Sequence, residues 1–344
     1  MKILKLITNI FLSVFHHQMF IKLFIVLVKS YLCYMQGVVI KSTGSWYSVR
    51  IHNGNCFLCR LKGKFRMKGI KSTNPVSVGD QVLFSRQGKD FIINDILERK
   101  NYIVRKSVNL SKQVHIIAAN IDQAFLIVTS AFPKTSVGFI DRFLVTAEAY
   151  QIPTVLVFNK IDLHDKSHLE SHKEMISLYR QCGYECIEVS AIKNKNIKEL
   201  MLKMKEKVNL LSGHSGVGKS TLVNAINPNL DLLTKSVSKT HNKGMHTTTF
   251  AEMFALDFGG FIIDTPGIKG LGLVDIDPQE LSNYFPEMLK IKSQCRFHNC
   301  KHINEPSCAV KEALNTGEVN RIRYDSYLSI LDDDNNSYRE AKYH

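Results

Sequence analysis

A glycine-rich stretch has the spacing of a phosphate-binding loop, G-x-x-x-x-G-K-[ST]. Glycines let several backbone N–H groups converge on one phosphate, and the N-terminus of a following helix adds positive potential. Lys219 would bridge the β- and γ-phosphates, and Ser220 would ligate Mg²⁺. The residues predicted to hold the phosphates are Gly213, His214, Ser215, Gly216, Val217, Gly218, Lys219, Ser220 and Thr221.

A second pattern, N-K-x-D, separates guanine from adenine. Asp162 can accept hydrogen bonds from guanine N1–H and from the 2-amino group, and adenine has no such pair of donors. Asn159 can tie this loop to the phosphate loop, and the stem of Lys160 can cover the base. Ser190 and Ala191 form a second base-facing loop, in which the Ala191 N–H would meet guanine O6. Together these residues favour GTP and disfavour an ATPase or a small-molecule kinase.

Two further segments have the composition of γ-phosphate sensors. In a D-x-x-G pattern, Asp264 would hold Mg²⁺ through water and the Gly267 N–H would meet the γ-phosphate. Three threonines at 247–249 lie in a polar segment, and one of them can ligate Mg²⁺ when triphosphate is bound. Thr248 is favoured, although the spacing does not choose among the three.

The position after D-x-x-G is the apolar Ile268, where many GTPases have a glutamine that orients water. The isolated enzyme is therefore expected to hydrolyse GTP slowly until a partner completes the site. His246 is a candidate for positioning the water, and an equally weighted alternative is that it only packs or caps its loop. The candidate catalytic residues are His246, Lys219 and Thr248.

The order of these patterns is unusual. N-K-x-D and Ser-Ala precede the phosphate loop, whereas an ordinary GTPase has them after D-x-x-G. A circularly permuted chain can form the same site, because the termini of a domain usually lie close together. The D-x-x-G segment then leads directly into the C-terminal region, so loss of the γ-phosphate can be transmitted there.

A cluster near the C-terminus reads C-x₄-C-x-H-x₅-C. Three cysteines and one histidine fit a closed tetrahedral Zn²⁺ site, which would be structural because no position is left open. The predicted ligands are Cys295, Cys300, His302 and Cys308, with His298 as a spare. Two other patterns are not interpreted as metal sites. Cys56 and Cys59 would point to opposite faces of a strand, which predicts two semi-buried thiols. The spacing of His164, His168 and His172 predicts one solvated helix face.

The elements that position these residues alternate between strand and helix from residue 123 to 208, which predicts a mostly parallel sheet covered on both faces. Before them, about five short strands between residues 36 and 96 predict a barrel of the OB type. The fold class is therefore multidomain α/β and β. The predicted division is an extension at 1–34, an OB domain at 35–98, a permuted GTPase domain at 99–285, a zinc-binding helical module at 286–331 and a polar, disordered tail at 332–344.

The positive charge is concentrated at the N-terminal end. The formal net charge is +14, and residues 1–79 hold twelve Lys or Arg with no acidic residue before Asp80. Alternate positions on one face of an extended segment are cationic, which favours RNA binding over the alternative of a solvated strand edge. The predicted RNA-binding residues are Arg60, Lys62, Lys64, Arg66 and Lys68.

Residues 1–34 are apolar and basic, but their longest uninterrupted apolar run is only Leu23 to Val28. That is too short for a membrane span, and a start-site artefact is the favoured explanation. The alternative is a peripheral anchor, which would make the protein a GTP-gated membrane-associated switch. A further alternative for the whole protein is an RNA-binding scaffold with a vestigial nucleotide site, and the complete set of nucleotide motifs argues against it. Eight cysteines in 344 residues are too few for a disulfide scaffold.

The combination of permuted motifs, basic barrel and zinc cluster resembles the RsgA family of small ribosomal subunit biogenesis GTPases. The resemblance rests on strings such as Lys62-Gly-Lys-Phe-Arg66, His246-Thr-Thr-Thr249 and Glu305-Pro-Ser-Cys-Ala-Val310, and covers residues 35 to 331. It implies subunit-stimulated hydrolysis of GTP to GDP, rRNA binding, late subunit maturation, a cytoplasmic monomer and no stable membrane association. Met245 departs from the arginine expected before His246, so an arginine-based role there is in doubt.

Overall fold

The computed structural model describes residues 34–61, 75–106, 114–230, 251–264 and 276–340. Its first part is a small barrel. Its strands are β1 (Met35–Ser42), β2 (Tyr47–Arg50), β3 (Cys56–Leu61), β4 (Gln81–Gln87) and β5 (Asp90–Ile96). β1, β2 and β3 pair antiparallel in that order, β3 pairs parallel with β5, and β4 joins β5 to β1 and closes the barrel. The predicted OB-type barrel is confirmed.

Alternate side chains of the strands point into the barrel and fill it. Val39, Val49 and Phe84 are fully buried at its centre. Cys56 and Cys59 point to opposite faces of β3 as predicted, but only Cys59 is buried, so the expectation of two semi-buried thiols is wrong for Cys56. Burial raises the pKa of the Cys59 thiol to about 12.

A two-stranded antiparallel ribbon of β6 (Tyr102–Lys106) and β7 (Val114–Ala119) lies against the barrel. The Ser77 hydroxyl donates to the Ile116 carbonyl at 3.0 Å, and the Ala119 N–H donates to the Val78 carbonyl at 2.9 Å. Gly79 lies so close that an added Cβ would fall 2.0 Å from the Ala119 oxygen. The loop before β4 is therefore held firmly on the ribbon.

A second group of strands forms the predicted sheet. Its strands are β8 (Gln123–Val128), β9 (Thr154–Phe158), β10 (Glu185–Glu188), β11 (Val208–Gly213), β12 (Glu252–Ala255) and β13 (Phe261–Asp264). Their spatial order is β10-β9-β8-β11-β13-β12, and every neighbouring pair is parallel except β12 with β13.

Helices cover both faces of this sheet, which confirms the α/β prediction. They are α1 (Val137–Ala149), α2 (Lys166–Gln181), α3 (Ile197–Met204) and α4 (Lys219–Ile226). Leu144 of α1 and Tyr179 of α2 belong to the core on one face, and Leu200 of α3 and Leu222 of α4 belong to the core on the other.

The barrel and the α/β sheet are joined by strand pairing into one continuous sheet. β12 pairs with β1 through a single register pair, Lys41 with Glu252, so the strands of the two parts form one 11-stranded sheet. The two side chains of that pair also form an exposed ion pair with 3.0 Å between Nζ and Oε1. Contacts of this kind contribute little free energy.

The C-terminal part is helical. It contains α5 (Pro286–Leu289), α6 (Ala309–Thr316) and α7 (Arg321–Glu340), and single 3₁₀ turns at Leu281–Tyr284 and Lys292–Gln294. The sequence predicts a disordered tail from residue 332, and this is wrong for residues 332–340, because α7 continues through them. Extending a helix costs little once its first turns are fixed by packing, as Tyr327 and Ile330 are here.

A buried ion cluster joins this helical part to the α/β sheet. Arg323 of α7, which is 0% exposed, donates to the Asp141 carboxylate of α1 at 2.6 Å and to the Glu287 carboxylate of α5 at 2.7 Å. Tyr179 donates to the same Asp141 oxygen at 2.9 Å. Although burial opposes the charge, Asp141 and Glu287 raise the pKa of Arg323 well above its usual value.

Within these described ranges, no helix combines the length and the apolar character needed to cross a bilayer. Residues 1–33 of the predicted extension at 1–34 lie outside the described residues, so its assignment stays a prediction.

Candidate functional site

Three loops meet at the carboxyl ends of the parallel strands. N-K-x-D follows β9, the Ser-Ala loop follows β10, and the phosphate loop follows β11. Open α/β sheets bind ligands at this edge, because loops leaving neighbouring strands form a crevice there.

Asn159 clasps the three loops together. Its Nδ2 donates to the Val217 carbonyl in the phosphate loop at 2.9 Å. Its Oδ1 accepts from the Ala191 N–H at 3.2 Å. The side chain is 2% exposed, so both bonds are shielded from water. The Ala191 N–H, which the sequence assigned to the guanine oxygen, is thus directed at Asn159.

Ser190 orients the carboxylate predicted to recognise the base. Its buried hydroxyl donates to Asp162 Oδ1 at 2.5 Å, and Asp162 itself is exposed. One carboxylate oxygen is therefore held by Ser190 while the residue remains accessible from solvent.

Lys160 bridges two carbonyl groups beside the phosphate loop. Its ammonium donates to the Phe132 oxygen at 2.7 Å and to the Gly216 oxygen at 2.6 Å. Its backbone is left-handed, with φ 65°, which turns the chain from β9 into the short 3₁₀ turn Ile161–Leu163. The placement of its stem over the base stays a prediction, and its ammonium here links the base loop to the phosphate loop.

The phosphate loop needs glycine at two of its positions for reasons of space. A Cβ on Gly213 would fall 2.4 Å from the Ile127 oxygen, and a Cβ on Gly218 would fall 2.6 Å from Asn159 Nδ2. Gly218 has φ 90° and leads into α4, whose first residue is Lys219. The Lys219 ammonium donates to the Gly213 and His214 carbonyls, at the mouth of the loop.

Oxygen donors suited to Mg²⁺ lie at the ends of two neighbouring elements. Ser220 is exposed in the first turn of α4, and Asp264 ends β13 in register with Leu211 of β11. Hydroxyl and carboxylate oxygens are the donors that this cation prefers, and the assignment of these residues to Mg²⁺ stays a prediction. The other predicted sensors, His246, Thr248 and Gly267, together with Ile268, lie outside the described residues.

The predicted zinc ligands do converge. The donor atoms of Cys295, Cys300, His302 and Cys308 lie within 4.8 Å of one another. His302 Nδ1 is 3.4 Å from the Cys308 sulfur and 3.7 Å from the Cys295 sulfur, and these two sulfurs are 4.0 Å apart. A tetrahedral site with Zn–S bonds of about 2.3 Å places its ligand atoms about 3.8 Å apart, so the cluster fits this ion. The spare candidate, His298, is exposed.

Only one of the five cations predicted to bind RNA is described. Arg60 is exposed on β3, and its guanidinium carbon lies 3.8 Å from the centre of the Trp46 ring. This pair offers a cation and an aromatic face together. Lys62, Lys64, Arg66 and Lys68 lie outside the described residues.

The histidine pattern differs from its prediction. His164 precedes α2, whose N-cap is Asp165, and His172 within α2 is 3% exposed. Both imidazoles contact the hydroxyl of Ser130, which the sequence analysis did not single out. The expectation of a solvated helix face is therefore wrong. The i, i+4, i+8 spacing alone could not predict the contact with Ser130, because His172 faces the sheet and Ser130 lies at the end of another strand.

Comparison with known proteins identifies related GTPases. A sequence model described as RsgA GTPase matches residues 96–274, and one described as RsgA N-terminal domain matches residues 36–91. The chain is 55% identical over 313 residues to the small ribosomal subunit biogenesis GTPase RsgA of Christiangramia forsetii, covering 90% of this chain and 99% of that protein. Its counterpart in Bacteroides fragilis (strain YCH46) is 51% identical, covering 89% of this chain and 100% of that protein.

Solved structures show the same architecture. YjeQ from Thermotoga maritima has a TM-score of 0.72 and 36% identity, covering 87% of this chain and 98% of that one. YloQ, a circularly permuted GTPase, has a TM-score of 0.70 and 29% identity, covering 88% and 96%.

The permuted sheet, the three loops at its edge and the barrel before it define a circularly permuted GTPase, and the enzyme is a GTP hydrolase. Within that class, the chain belongs to the RsgA GTPase family.

Proposed function

We propose that this GTPase binds the small ribosomal subunit and hydrolyses GTP to GDP and phosphate during late subunit maturation. The observation that carries the nucleotide part is the Asn159 clasp, because it joins the base loop, the Ser-Ala loop and the phosphate loop into one site. The relatives named above are small ribosomal subunit biogenesis GTPases, which supports the ribosomal part.

In this proposal the free edge of Asp162 accepts both guanine donors while Ser190 holds its other oxygen. The backbone N–H groups of the glycine-rich loop surround the β-phosphate, and Lys219 exchanges its carbonyl partners for phosphate oxygens. Such electrostatic positioning is the main contribution a protein makes to phosphoryl transfer.

Mg²⁺ would be held by Ser220, Asp264 and Thr248, and when bound it neutralises charge that develops on the phosphates. Gly267 would meet the γ-phosphate through its N–H. With Ile268 unable to orient water, His246 would do so once the subunit docks. Slow intrinsic turnover and strong stimulation by the subunit follow from this arrangement.

The other parts would serve docking. The barrel, 35–98, would contact rRNA through Arg60 with Trp46 and through Lys62, Lys64, Arg66 and Lys68. The module at 286–331, with one structural Zn²⁺, would follow the permuted domain at 99–285. Loss of the γ-phosphate would be transmitted to this module. The protein would act as a cytoplasmic monomer without stable membrane association.

The test is GTP hydrolysis with and without purified small ribosomal subunits. Stimulation is expected for the unmodified protein, and Asp162→Asn is expected to shift preference from GTP to xanthosine triphosphate, whose 2-oxo group needs a donor. Asp332→Asn, an exposed carboxylate on α7, is the matched control and should keep GTP preference. Equal hydrolysis of ATP and GTP by the unmodified protein would contradict the assignment of guanine as the bound base. Turnover that does not rise when small ribosomal subunits are added would contradict the proposed ribosomal function.

The role of His246 needs its own variant. His246→Ala should abolish subunit-stimulated turnover while GTP affinity and subunit binding survive. If stimulated turnover is unchanged, His246 only packs or caps its loop, and another group positions the water.

A further inference from the structure

A fourth loop, residues 129–136, borders the nucleotide crevice, and the proposed chemistry uses none of its side chains. It follows β8 and leads into α1. Just before it, the Val128 oxygen accepts from the Asn159 N–H at 2.9 Å. At its tip, the Phe132 oxygen accepts from the Lys160 ammonium at 2.7 Å. The connection after β8 is therefore hydrogen-bonded to the first two residues of N-K-x-D.

The tip of this loop lies on the surface and yet has a demanding conformation. Phe132 is 55% exposed, and Pro133 and Lys134 are exposed as well. Exposed loop tips are usually among the most mobile parts of a fold. Phe132 has φ 52°, a left-handed conformation that is uncommon for an aromatic residue and persists where the surrounding structure holds it. The contacts that hold this tip therefore matter for the Phe132 oxygen.

Two buried threonines close the loop beneath its tip. Thr129 and Thr135 are 0% and 2% exposed. The Thr129 N–H donates to Thr135 Oγ1 at 3.0 Å, and the Thr135 N–H donates to the Thr129 oxygen at 2.8 Å. The Thr129 hydroxyl donates to the Pro133 oxygen at 2.5 Å. This last bond reaches the tip, because the Phe132 carbonyl and the Pro133 nitrogen belong to one planar peptide unit.

The tip in turn fixes the end of the Lys160 side chain. The ammonium lies between the Phe132 oxygen at 2.7 Å and the Gly216 oxygen of the phosphate loop at 2.6 Å. The Pro133 ring packs beside Gly216, 3.5 Å from the place that an added Cβ would take. A lysine stem loses much rotamer freedom when it is ordered, and an ammonium that is already anchored reduces that cost when a base binds.

We propose that Thr129 is a positioning residue for nucleotide binding. Its hydroxyl holds the tip of the loop, so that the Phe132 and Gly216 carbonyls anchor the Lys160 ammonium and its stem lies over the face of the base. This inference rests on the proposed role of Lys160. Thr129 is fully buried and acts on the nucleotide only through Lys160.

The experiment measures dissociation constants of the full-length protein by competition with a fluorescent GDP analogue. Thr129→Val replaces the hydroxyl by a methyl group, which cannot donate and would lie against the Pro133 oxygen. The dissociation constant of GDP should rise about fivefold, the equivalent of one hydrogen bond. That of IDP should rise by the same factor, because IDP lacks only the 2-amino group on the edge of the base, whereas Lys160 covers the face.

Two further variants separate positioning from packing. Thr129→Ser keeps the hydroxyl and should restore the affinity of the unmodified protein. Thr146→Val is the matched control: Thr146 of α1 is 1% exposed, and its hydroxyl donates to the Arg142 oxygen at 2.8 Å. It loses the same kind of buried hydrogen bond away from the crevice and should bind GDP normally.

A double-mutant cycle tests whether Thr129 acts through Lys160. Lys160→Met keeps an apolar stem but has no ammonium for the two carbonyls, so it should weaken GDP binding. Adding Thr129→Val to Lys160→Met should then cause no further loss, because residues that act through one contact are not additive.

The outcomes are distinct. Normal GDP binding by Lys160→Met would contradict the proposed role of Lys160, and this inference with it. If Lys160→Met weakens binding but Thr129→Val costs the same factor in both backgrounds, only the present inference is overturned. A loss for GDP without one for IDP, or a Thr129→Ser variant as weak as Thr129→Val, overturns it too. If Thr129→Val does not fold, as judged by its thermal unfolding, the same cycle with Thr129→Ala decides, because alanine removes the hydroxyl without crowding the Pro133 oxygen.

Discussion

At the scale of single residues, one amide organises the nucleotide crevice. Asn159 was identifiable from sequence, because N-K-x-D has a fixed chemical meaning. Its partners were only partly identifiable. The bond to the phosphate loop was expected, but the bond from the Ala191 N–H depends on how close β9 and β10 bring their loops. Spacing in a sequence does not contain that distance.

The contact between Asn159 and the phosphate loop leads to a first prediction. Gly218→Ala would place a methyl group 2.6 Å from Asn159 Nδ2 at a residue with φ 90°. The clasp must then open, and affinity for GDP should fall at least about tenfold, which is the equivalent of 1.4 kcal/mol. Titration with a fluorescent GDP analogue measures it.

Gly138→Ala is the matched control for this substitution. Gly138 lies in the first turn of α1, and an added methyl group there meets nothing within 4 Å. It should bind GDP as the unmodified protein does. Normal affinity in Gly218→Ala would show that the clasp is not needed for binding.

At the scale of elements, the Arg323 cluster joins three helices that are distant in sequence. Arg323→Met leaves the Asp141 and Glu287 carboxylates buried without their cation. Breaking such a pair costs about 3–5 kcal/mol. The free energy of unfolding in urea should fall by that amount.

Arg321→Met is the control for charge and helix position. Arg321 lies on the same helix in an exposed pair with Asp325, with 72% of its side chain accessible. Its removal should change the free energy of unfolding by no more than about 0.5 kcal/mol. Equal effects of the two substitutions would mean that the buried cluster contributes nothing specific.

The zinc cluster leads to a third prediction at the same scale. The ligands lie between helices α5 and α6, and Cys300 and Cys308 belong to the same buried core as Tyr327 of α7. Cys300→Ala, or chelation, should therefore release one metal ion per chain and unfold this module, because metal binding and folding are coupled at such sites. GDP binding should persist. Purified protein that contains no zinc by elemental analysis would contradict the assignment.

The elements themselves were largely predictable, and the failures have physical causes. Strands such as β8 and β9 are buried on both faces and therefore read as continuous apolar runs. The ribbon of β6 and β7, whose two strands are connected by residues 107–113, was not predicted. Disorder was predicted for the tail, because Asp332 and the residues after it are polar. The helix instead continues through residue 340 from the packed turns that precede Asp332.

At the scale of the whole molecule, the junction between barrel and ribbon sets their relative orientation. Gly79→Ala would drive a methyl group to 2.0 Å from the Ala119 backbone oxygen, which cannot move without disturbing β7. Hydrogen exchange should therefore accelerate in β4 and β7. GDP affinity should be retained, because the crevice lies at the opposite end of the α/β sheet from the residues that begin β8.

Gly88→Ala provides the control for backbone strain. Gly88 also has a positive φ, 64°, but an added methyl group there meets nothing within 4 Å. It should leave exchange in β7 unchanged, and the difference between the two variants isolates the steric contact. Identical exchange patterns would show that the junction tolerates the added methyl group.

The strand order also has a consequence for synthesis. β8 is the centre of the α/β sheet; β9 and β10 extend it on one side, and β11, β13 and β12 are added later on the other. A nascent chain that ends before Val208 thus already holds three adjacent strands with α1 and α2 to cover them. Chains fold progressively as they emerge. The half that is proposed to recognise the base is therefore complete first, and the growing protein cannot hold a nucleotide until translation has passed the phosphate loop.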